Sequence, residues 1–214
     1  MQRANGRLNI SFYNNEIKNM YYNTPLRAFA NDDGNEDINS VALVNTSGGV
    51  VSGDKLSVKI NINNSKAMIF SQSAEKIYKS VNDIEATINN EVVVGENSWL
   101  EWLPQETILF EKSKLIRNLK IHLNKNSESL IGEIIILGRL AKGEFSKDIF
   151  LKDSIFIYKD TKLQWLDIVL LNNELDKTKK SITRLSEANC FFTIVFSSEN
   201  IEEYEKKINK YIKN

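Results

Sequence analysis

The chain contains very few of the residues from which proteins usually build metal and redox sites. Its 214 residues include one cysteine, Cys190, and one histidine, His122. A single cysteine excludes an internal disulfide framework. One thiol and one imidazole also cannot form a dedicated zinc, copper or nickel site of the usual ligand type. We expect Cys190 to be a small buried hydrophobic residue and His122, on the polar phase of its segment, to face solvent.

Nucleophilic catalysis has little support for the same reason. Ser-His-Asp and Cys-His mechanisms would both have to recruit His122, and no G-x-S-x-G nucleophile elbow is present. We therefore expect a protein that is not an enzyme of these classes.

Charge imbalance and long hydrophobic runs are also absent. Lys plus Arg and Asp plus Glu each number 28, so the net charge is near zero. A general binder of nucleic acid or anionic membranes usually shows a basic excess. No apolar run approaches transmembrane length, and the N-terminal MQRANGRLNI lacks the apolar core of a signal peptide. We expect a cytoplasmic protein without nucleic-acid or membrane partners.

Short β-segments separated by turn residues dominate what is present. Leu56, Val58 and Ile60 alternate with polar residues, which is the period of a half-buried strand. Many such segments at near-regular spacing, with only two prolines in the chain, predict a mainly β, many-stranded sandwich or solenoid-like stack in one domain, 1–214. The predicted strands are 6–13, 41–44, 56–62, 67–71, 85–94, 119–123, 130–137, 155–158 and 191–196.

About two α-helices are expected, one of them C-terminal. Ile201, Tyr204 and Ile208 fall on one helical face, with acidic residues in the first turn and lysines towards the other end. A weaker candidate spans 174–185. The terminal helix either packs on the β-domain or offers a surface to a partner.

A glycine-rich stretch, NTSGGVVSGDKL, precedes one alternating strand. Gly48 and Gly53 have the spacing of a phosphate-binding P-loop, but Lys55 is displaced by one position and a strand follows instead of a helix. Positive-φ turn positions at Gly48, Gly49 and Gly53 explain the glycines better. Asp54 is then either a turn residue or a carboxylate held at the corner for a purpose.

Carboxylates are the remaining candidates for chemistry. Glu101, Glu106 and Glu144 lie close in sequence to aromatic residues. Paired carboxylates beside aromatic rings are also found in glycoside hydrolase sites, so a carbohydrate-active hydrolase using Glu101 or Glu106 with Glu144 is one alternative. Solvated surface glutamates are the commoner explanation of the same pattern.

Five segments of the chain together resemble the urease accessory protein D family (UreD, called UreH in some bacteria). They are TPLR at 24–27, NTSGGVVSGDKL at 45–56, SQSAEKIYKS at 71–80, LEWLPQETILF at 100–110 and LGRLAKGE at 137–144. The resemblance covers about 6–150, whereas 150–214 match loosely and the C-terminus is shorter than is usual in the family. Besides the carboxylates, the matched positions include Arg27, Gly48, Gly49, Gly53, Lys76, Tyr78, Trp102, Pro104, Arg139 and Gly143.

The resemblance implies a non-enzymatic scaffold for inserting nickel into urease. Family members fold as a many-stranded β-structure with two helices, bind apo-urease on one side and bind the helical accessory protein UreF on another. Through UreF they recruit the GTPase UreG, which delivers nickel. A water-filled tunnel is thought to lead the metal to the urease site.

The scarcity of His and Cys fits such a conduit, because oxygen ligands hold nickel weakly and release it. We expect no tightly bound cofactor, only nickel in transit. The conduit or interface candidates are Asp54, Glu75, Glu101, Glu106 and Glu144, with transient nickel contacts at Asp54 and Glu75. Each of these carboxylates could instead cap backbone N–H groups. The remaining alternative is a β-rich interaction module with no metal role.

Overall fold

The computed structural model describes residues 3–30, 37–139, 142–143, 148–172 and 175–212. Within these ranges the chain forms fifteen strands and two helices. The first eight strands are β1 (Asn5–Tyr13), β2 (Glu16–Tyr22), β3 (Leu26–Ala30), β4 (Asn39–Asn45), β5 (Lys55–Asn63), β6 (Lys66–Ser71), β7 (Glu75–Ile77) and β8 (Ala86–Val94). They are followed by β9 (Trp99–Trp102), β10 (Thr107–Leu109), β11 (Lys114–Leu123), β12 (Glu128–Leu137), β13 (Phe150–Lys159), β14 (Lys162–Leu171), α1 (Leu175–Lys180), β15 (Cys190–Ser197) and α2 (Ile201–Ile212).

The strands form two sheets, and successive segments of the chain contribute to one sheet and then to the other. The first sheet has the order β14-β13-β11-β8-β5-β1-β2, and the second has the order β3-β4-β6-β9-β12-β10-β7 with β15 paired to β12. Successive strands β5, β8, β11 and β13 stack in parallel in the first sheet, and β4, β6, β9 and β12 do so in the second. This confirms the predicted mainly β, solenoid-like stack.

Antiparallel strands flank the parallel part of each sheet. In the first sheet β2 pairs antiparallel with β1 and β14 with β13. In the second sheet β3 pairs antiparallel with β4 and β15 with β12. The parallel stack is therefore bounded by strands that run the opposite way.

The hydrophobic core lies between the two sheets and follows from the alternation in the sequence. One ladder across the first sheet joins Ile10, Ile60, Val92, Ile121 and Ile157 in register. All five side chains are buried, and burying such a side chain stabilises the fold by about 1.5–3 kcal/mol. Their polar sequence neighbours point to the outer face, as the period of two requires.

The two helices differ from each other in how well the sequence predicted them. Helix α2 is the expected C-terminal helix, and the Tyr204 ring packs edge-on against Phe196 with centroids 4.8 Å apart, so it packs on the β-domain at this point. Helix α1 is only six residues long. The prediction of a helix over 174–185 was too long, because the chain forms turns after Lys180, where the Arg184 N–H donates to the Ser181 carbonyl at 3.0 Å.

The prediction for His122 was right about its strand phase, although the side chain is only partly exposed, and the prediction for Cys190 was wrong. His122 is half-buried on the outer phase of β11, stacked on Tyr158 with ring centroids 4.9 Å apart. Cys190 is exposed, because it begins β15 on the phase that points away from the core. Among the helices that the structure describes, none has the length and apolar character needed to cross a membrane.

Candidate functional site

The glycine corner packs directly on strand β7. Gly48, Gly49 and Gly53 have φ angles of 76°, 145° and 81°, which confirms the predicted positive-φ turn positions. The Val50 N–H donates to the Lys76 carbonyl at 2.7 Å. A Cβ on Gly49 would lie 2.6 Å from the same carbonyl oxygen, so only glycine allows this close approach. The corner thus positions the backbone of the segment that contains Glu75.

Asp54 has a buried carboxylate that binds backbone. Its Oδ1 accepts the Ala4 N–H at 2.8 Å and its Oδ2 accepts the Val51 N–H at 3.0 Å. The residue is 4% exposed and is absent from the lining of the cavity described below. Both oxygens therefore tie the N-terminal segment to the glycine corner, which is the capping alternative for this carboxylate.

Asp54→Ala is expected to destabilise the protein by about 2–4 kcal/mol, because two buried N–H groups lose a charged acceptor. The measurement is the free energy of unfolding in urea. Asp54→Asn is the matched control, since its amide oxygen can still accept one of the two bonds and should cost less. An unchanged unfolding free energy for Asp54→Ala would show that the two bonds contribute nothing to stability.

A cavity of about 130 Å³ lies between the sheets beside the glycine corner. Its volume is several times the ~30 Å³ that one water molecule occupies in the liquid. At one end it is lined by the exposed Gly48, Ser73 and Gln105, and deeper in by the buried Arg117 and Glu133. The cavity therefore connects the surface to charged groups inside the sandwich.

Glu75 lies on the outer part of this cavity and is held by an amide. The Asn45 Nδ2 donates to both carboxylate oxygens of Glu75, at 3.1 and 3.2 Å. The Asn45 Oδ1 in turn accepts the Ser47 N–H at 3.1 Å. Burial raises the pKa of Glu75 to about 7, although the hydrogen bonds from Asn45 and from the Lys76 backbone oppose the rise. Glu75 is therefore a cavity carboxylate that exchanges a proton near neutral pH.

The inner part of the cavity is a buried ionic cluster centred on Arg117. Its Nε and Nη2 donate to the two oxygens of Asp153 at 2.8 and 2.7 Å. Its Nη1 donates to the Thr107 hydroxyl at 3.0 Å and lies 2.8 Å from Glu133 Oε2. The indole N–H of Trp102 donates to Glu133 Oε1 at 2.8 Å. Two carboxylates thus share one guanidinium inside the sandwich.

Burial and the neighbouring charges act on this cluster in opposite directions. Burial disfavours the charge on Arg117, but Glu133 and Asp153 outweigh it and raise the pKa of Arg117. Burial also raises the pKa of Glu133, although Arg117 works against the rise. Asn90 Oδ1 is buried without a hydrogen bond, and the buried Glu133 Oε2 is paired with the Arg117 guanidinium. Both residues line the cavity. These oxygens are suited to bind water or a cation.

Of the four singled-out carboxylates that the structure describes, the cavity lining contains only Glu75. Glu101 lies on the outer phase of β9, where it accepts the Trp99 indole N–H at 3.0 Å. Glu106 is half-buried, and its backbone oxygen accepts the Glu75 N–H at 2.9 Å. Glu144 lies outside the described residues. The described part of the structure therefore does not assemble the carboxylate pair that the hydrolase alternative requires.

The other matched positions fall into two groups. Gly48, Gly49, Lys76, Trp102 and Pro104 line the cavity. The rest lie elsewhere: Arg27 stacks over Tyr22, Tyr78 and Arg139 both contact the Phe110 ring, Gly53 turns the corner before β5, and Gly143 has a φ of 67°.

The sequence analysis missed the residues of the inner cavity. Arg117, Glu133 and Asp153 lie on the inward phase of β11, β12 and β13. The available signal was a polar residue at an apolar position of an alternating strand, such as Arg117 between Leu115 and Leu119. Across the residues that the structure describes, no group of three or more His, Cys, Asp or Glu side chains could hold a metal ion.

Comparison with known proteins decides the family. The model of the UreD urease accessory protein family matches residues 3–213. The chain belongs to the UreD urease accessory protein family. The family is one of accessory proteins, so the prediction of a protein that is not an enzyme is confirmed and the hydrolase alternative is rejected.

Several UreD proteins are similar to this chain over most of its length. Urease accessory protein UreD of Magnetococcus marinus is 30% identical over 204 residues, which is 92% of this chain and 70% of that protein. UreD of a Chelativorans species is 37% identical over 75% of this chain and 58% of its own length. UreD 2 of Methylorubrum populi is 37% identical over 69% of this chain and 50% of its own length. The chain thus spans between 50% and 70% of the length of these relatives.

Proposed function

We propose that this protein supports the maturation of urease as a scaffold through which nickel passes to the enzyme. The single observation that carries the proposal is the cavity with Glu75 on its outer part and Glu133 on its inner part. Family membership supports the link to urease, and nickel is the cargo rather than a resident cofactor. The scaffold binds apo-urease and a UreF-type partner, and it recruits a UreG-type GTPase through that partner.

The chemistry of the lining supports transit rather than storage. The cavity offers carboxylate, amide and hydroxyl oxygens, and its lining contains no histidine or cysteine. Oxygen ligands bind nickel more weakly than imidazole or thiolate, so a metal bound here can leave. Glu75 is the first carboxylate from the surface, and its negative charge would attract the cation into the path.

Glu75→Gln is expected to reduce urease activation at limiting nickel while leaving the complexes intact, because the change removes a charge and alters little buried area. The matched control is Glu101→Gln, which removes a carboxylate from the outer face of the same protein. Pull-down of urease and the UreF-type partner is measured in parallel. Normal activation in the Glu75 variant would contradict its role in the conduit, and lost complexes would instead make it structural.

The same variant tests the raised pKa of Glu75. With a pKa of about 7, the carboxylate is largely protonated at pH 6 and largely ionised at pH 8, so a proton competes with nickel at the lower pH. Nickel delivery by the wild-type protein should rise across this range relative to the Glu75→Gln protein. The free energy of unfolding should change in the opposite direction. Because the folded protein holds the Glu75 proton more tightly than the unfolded chain does, the protein loses stability as the pH rises from 4.5 to 7.

The outer faces of both sheets carry apolar side chains that support the scaffold part of the proposal. On β15, Phe192 and Ile194 are 67% and 64% exposed, and on β14 the residues Leu166 and Ile168 are 44% and 51% exposed. Ile134 of β12 pairs with Phe192, so it extends the β15 surface. Contiguous exposed apolar groups mark sites for protein partners. The isolated protein is therefore expected to be poorly soluble and to form a soluble complex with its partner.

Replacing Phe192 and Ile194 together by serine should increase the solubility of the isolated protein and weaken its complex with the UreF-type partner. Because both side chains are mostly exposed, the free energy of unfolding should change by no more than about 0.5 kcal/mol. The matched control replaces Leu166 and Ile168 by serine on the other sheet. If neither pair affects binding to the partner or to urease, these apolar faces are not the docking surfaces.

A β-rich interaction module without a metal role is the second candidate function. The exposed apolar faces favour it as strongly as they favour the scaffold. The two candidates differ in the Glu75 experiment, because a module that only holds partners together would activate urease normally when that charge is removed.

A further inference from the structure

We infer that Arg117 prevents the inner part of the cavity from trapping the metal that passes it. The guanidinium occupies the position beside Glu133 and Asp153 that a divalent cation would otherwise take. The inference rests on the proposed conduit, and it adds a residue that sets metal affinity. It also explains how buried carboxylates can lie along the path of the metal without forming a tight nickel site.

Arg117 is the counter-ion of both buried carboxylates. Arg117 uses two nitrogens on Asp153 and one nitrogen lies 2.8 Å from Glu133 Oε2. Thr107 accepts a further hydrogen bond from it. Arginine is always charged and presents a rigid fork that matches carboxylates, so this cation cannot be removed by a change of pH.

Oxygen ligands for a divalent cation would remain if the guanidinium were absent. Glu133 Oε2 would lose the guanidinium nitrogen that lies 2.8 Å away. Asn90 Oδ1 is buried without a hydrogen bond, and both residues line the cavity. The Asp153 carboxylate, 8% exposed as a side chain, would lose the partner of both its oxygens. Two carboxylates and an amide are hard oxygen ligands of the kind that divalent cations accept.

Electrostatic repulsion then decides the affinity in the wild-type protein. A cation at Glu133 Oε2 would meet the positive charge of Arg117 within a few ångströms, where screening by water is weak. A divalent ion can therefore approach Glu133 only while it is still partly hydrated, and it gains too little to remain. We expect residence at this position to be brief for that reason.

The test removes the guanidinium together with one of the two carboxylates that it pairs. Arg117→Gln with Asp153→Asn replaces an ion pair by two amides that can hydrogen-bond to each other, and it leaves Glu133 as the carboxylate of the cluster. The protein carrying both changes is titrated with nickel chloride alone, and binding is followed by calorimetry and by Trp102 emission, with Trp99 and Trp165 replaced by phenylalanine so that the signal belongs to Trp102. Trp102 reports on the position because its indole N–H contacts Glu133, and Ni²⁺ quenches fluorescence at short range.

The double variant should bind nickel at least about tenfold more tightly than the wild type, because the guanidinium nitrogen 2.8 Å from Glu133 Oε2 is gone, whereas the Asp153 charge removed with it pairs with the other nitrogens of the guanidinium. Adding Glu133→Gln as a third change should abolish the gain and the Trp102 quenching. Equal affinity in the wild type and the double variant would overturn the inference, as would a gain that survives the third change. Since this titration involves no urease, its result is independent of the Glu75 activation experiment that tests the conduit.

Discussion

Trp102→Ala is expected to lower the free energy of unfolding by about 3–5 kcal/mol, the largest stability change among the variants considered. The Trp102 side chain is 2% exposed in the core between the sheets. Removing the indole leaves a cavity beside the existing one and deprives Glu133 Oε1 of the hydrogen bond that it accepts. Urea unfolding measures the cost.

Two controls separate the parts of this effect. Trp99→Ala removes a half-buried indole from the outer phase of the same strand, so it should cost clearly less. Trp102→Phe keeps an aromatic ring but removes the N–H that Glu133 accepts. An unfolding free energy unchanged by Trp102→Ala would contradict the buried position of this side chain.

The parts of the fold that the sequence predicted are those in which local and tertiary preferences agree. Strand β5 alternates apolar and polar residues along its whole length, and β8 is buried at every second position. The predicted 56–62 and 85–94 nearly coincide with them. The prediction for β11 covered only 119–123, because Arg117 interrupts the apolar phase that continues to Leu115. A charged residue at an inward position thus hid the first half of this strand from the apolar pattern.

Short and edge strands escaped prediction for a different reason. Strands β7 and β10 have three residues each, too few to show a period. They exist because they pair with each other and with β12, which is tertiary information. Strand β14 was missed although it is ten residues long, since its apolar residues occur on both faces.

The residues of the candidate site could likewise be predicted only where the signal was local in the sequence. The sequence suggested Glu75 from a motif and Asp54 from a turn. In the structure their surroundings differ, because Glu75 lines the cavity whereas Asp54 accepts hydrogen bonds from two backbone N–H groups. Asn45 and Glu75 are thirty positions apart and meet only because the glycine corner packs on β7. No spacing rule connects such residues before the fold is known.

A reversible plug tests the passage of nickel through the cavity most directly. Ser73 is exposed and lines the outer part of the cavity, so Ser73→Cys in a Cys190→Ser background offers one thiol at that position. A bulky methanethiosulfonate reagent attaches to it through a disulfide that a reductant later cleaves. Asn89→Cys in the same background is the control, because Asn89 is exposed on the outer face of the first sheet.

The measurement is urease activation at limiting nickel by the same protein before labelling, after labelling and after reduction, with pull-down of the partners at each stage. The conduit predicts that labelling at Ser73→Cys lowers activation to the level found without the protein, that reduction restores it, and that the complexes persist throughout. The labelled Asn89→Cys protein should activate urease normally. Full activation by completely labelled Ser73→Cys protein would contradict the passage of nickel through this cavity.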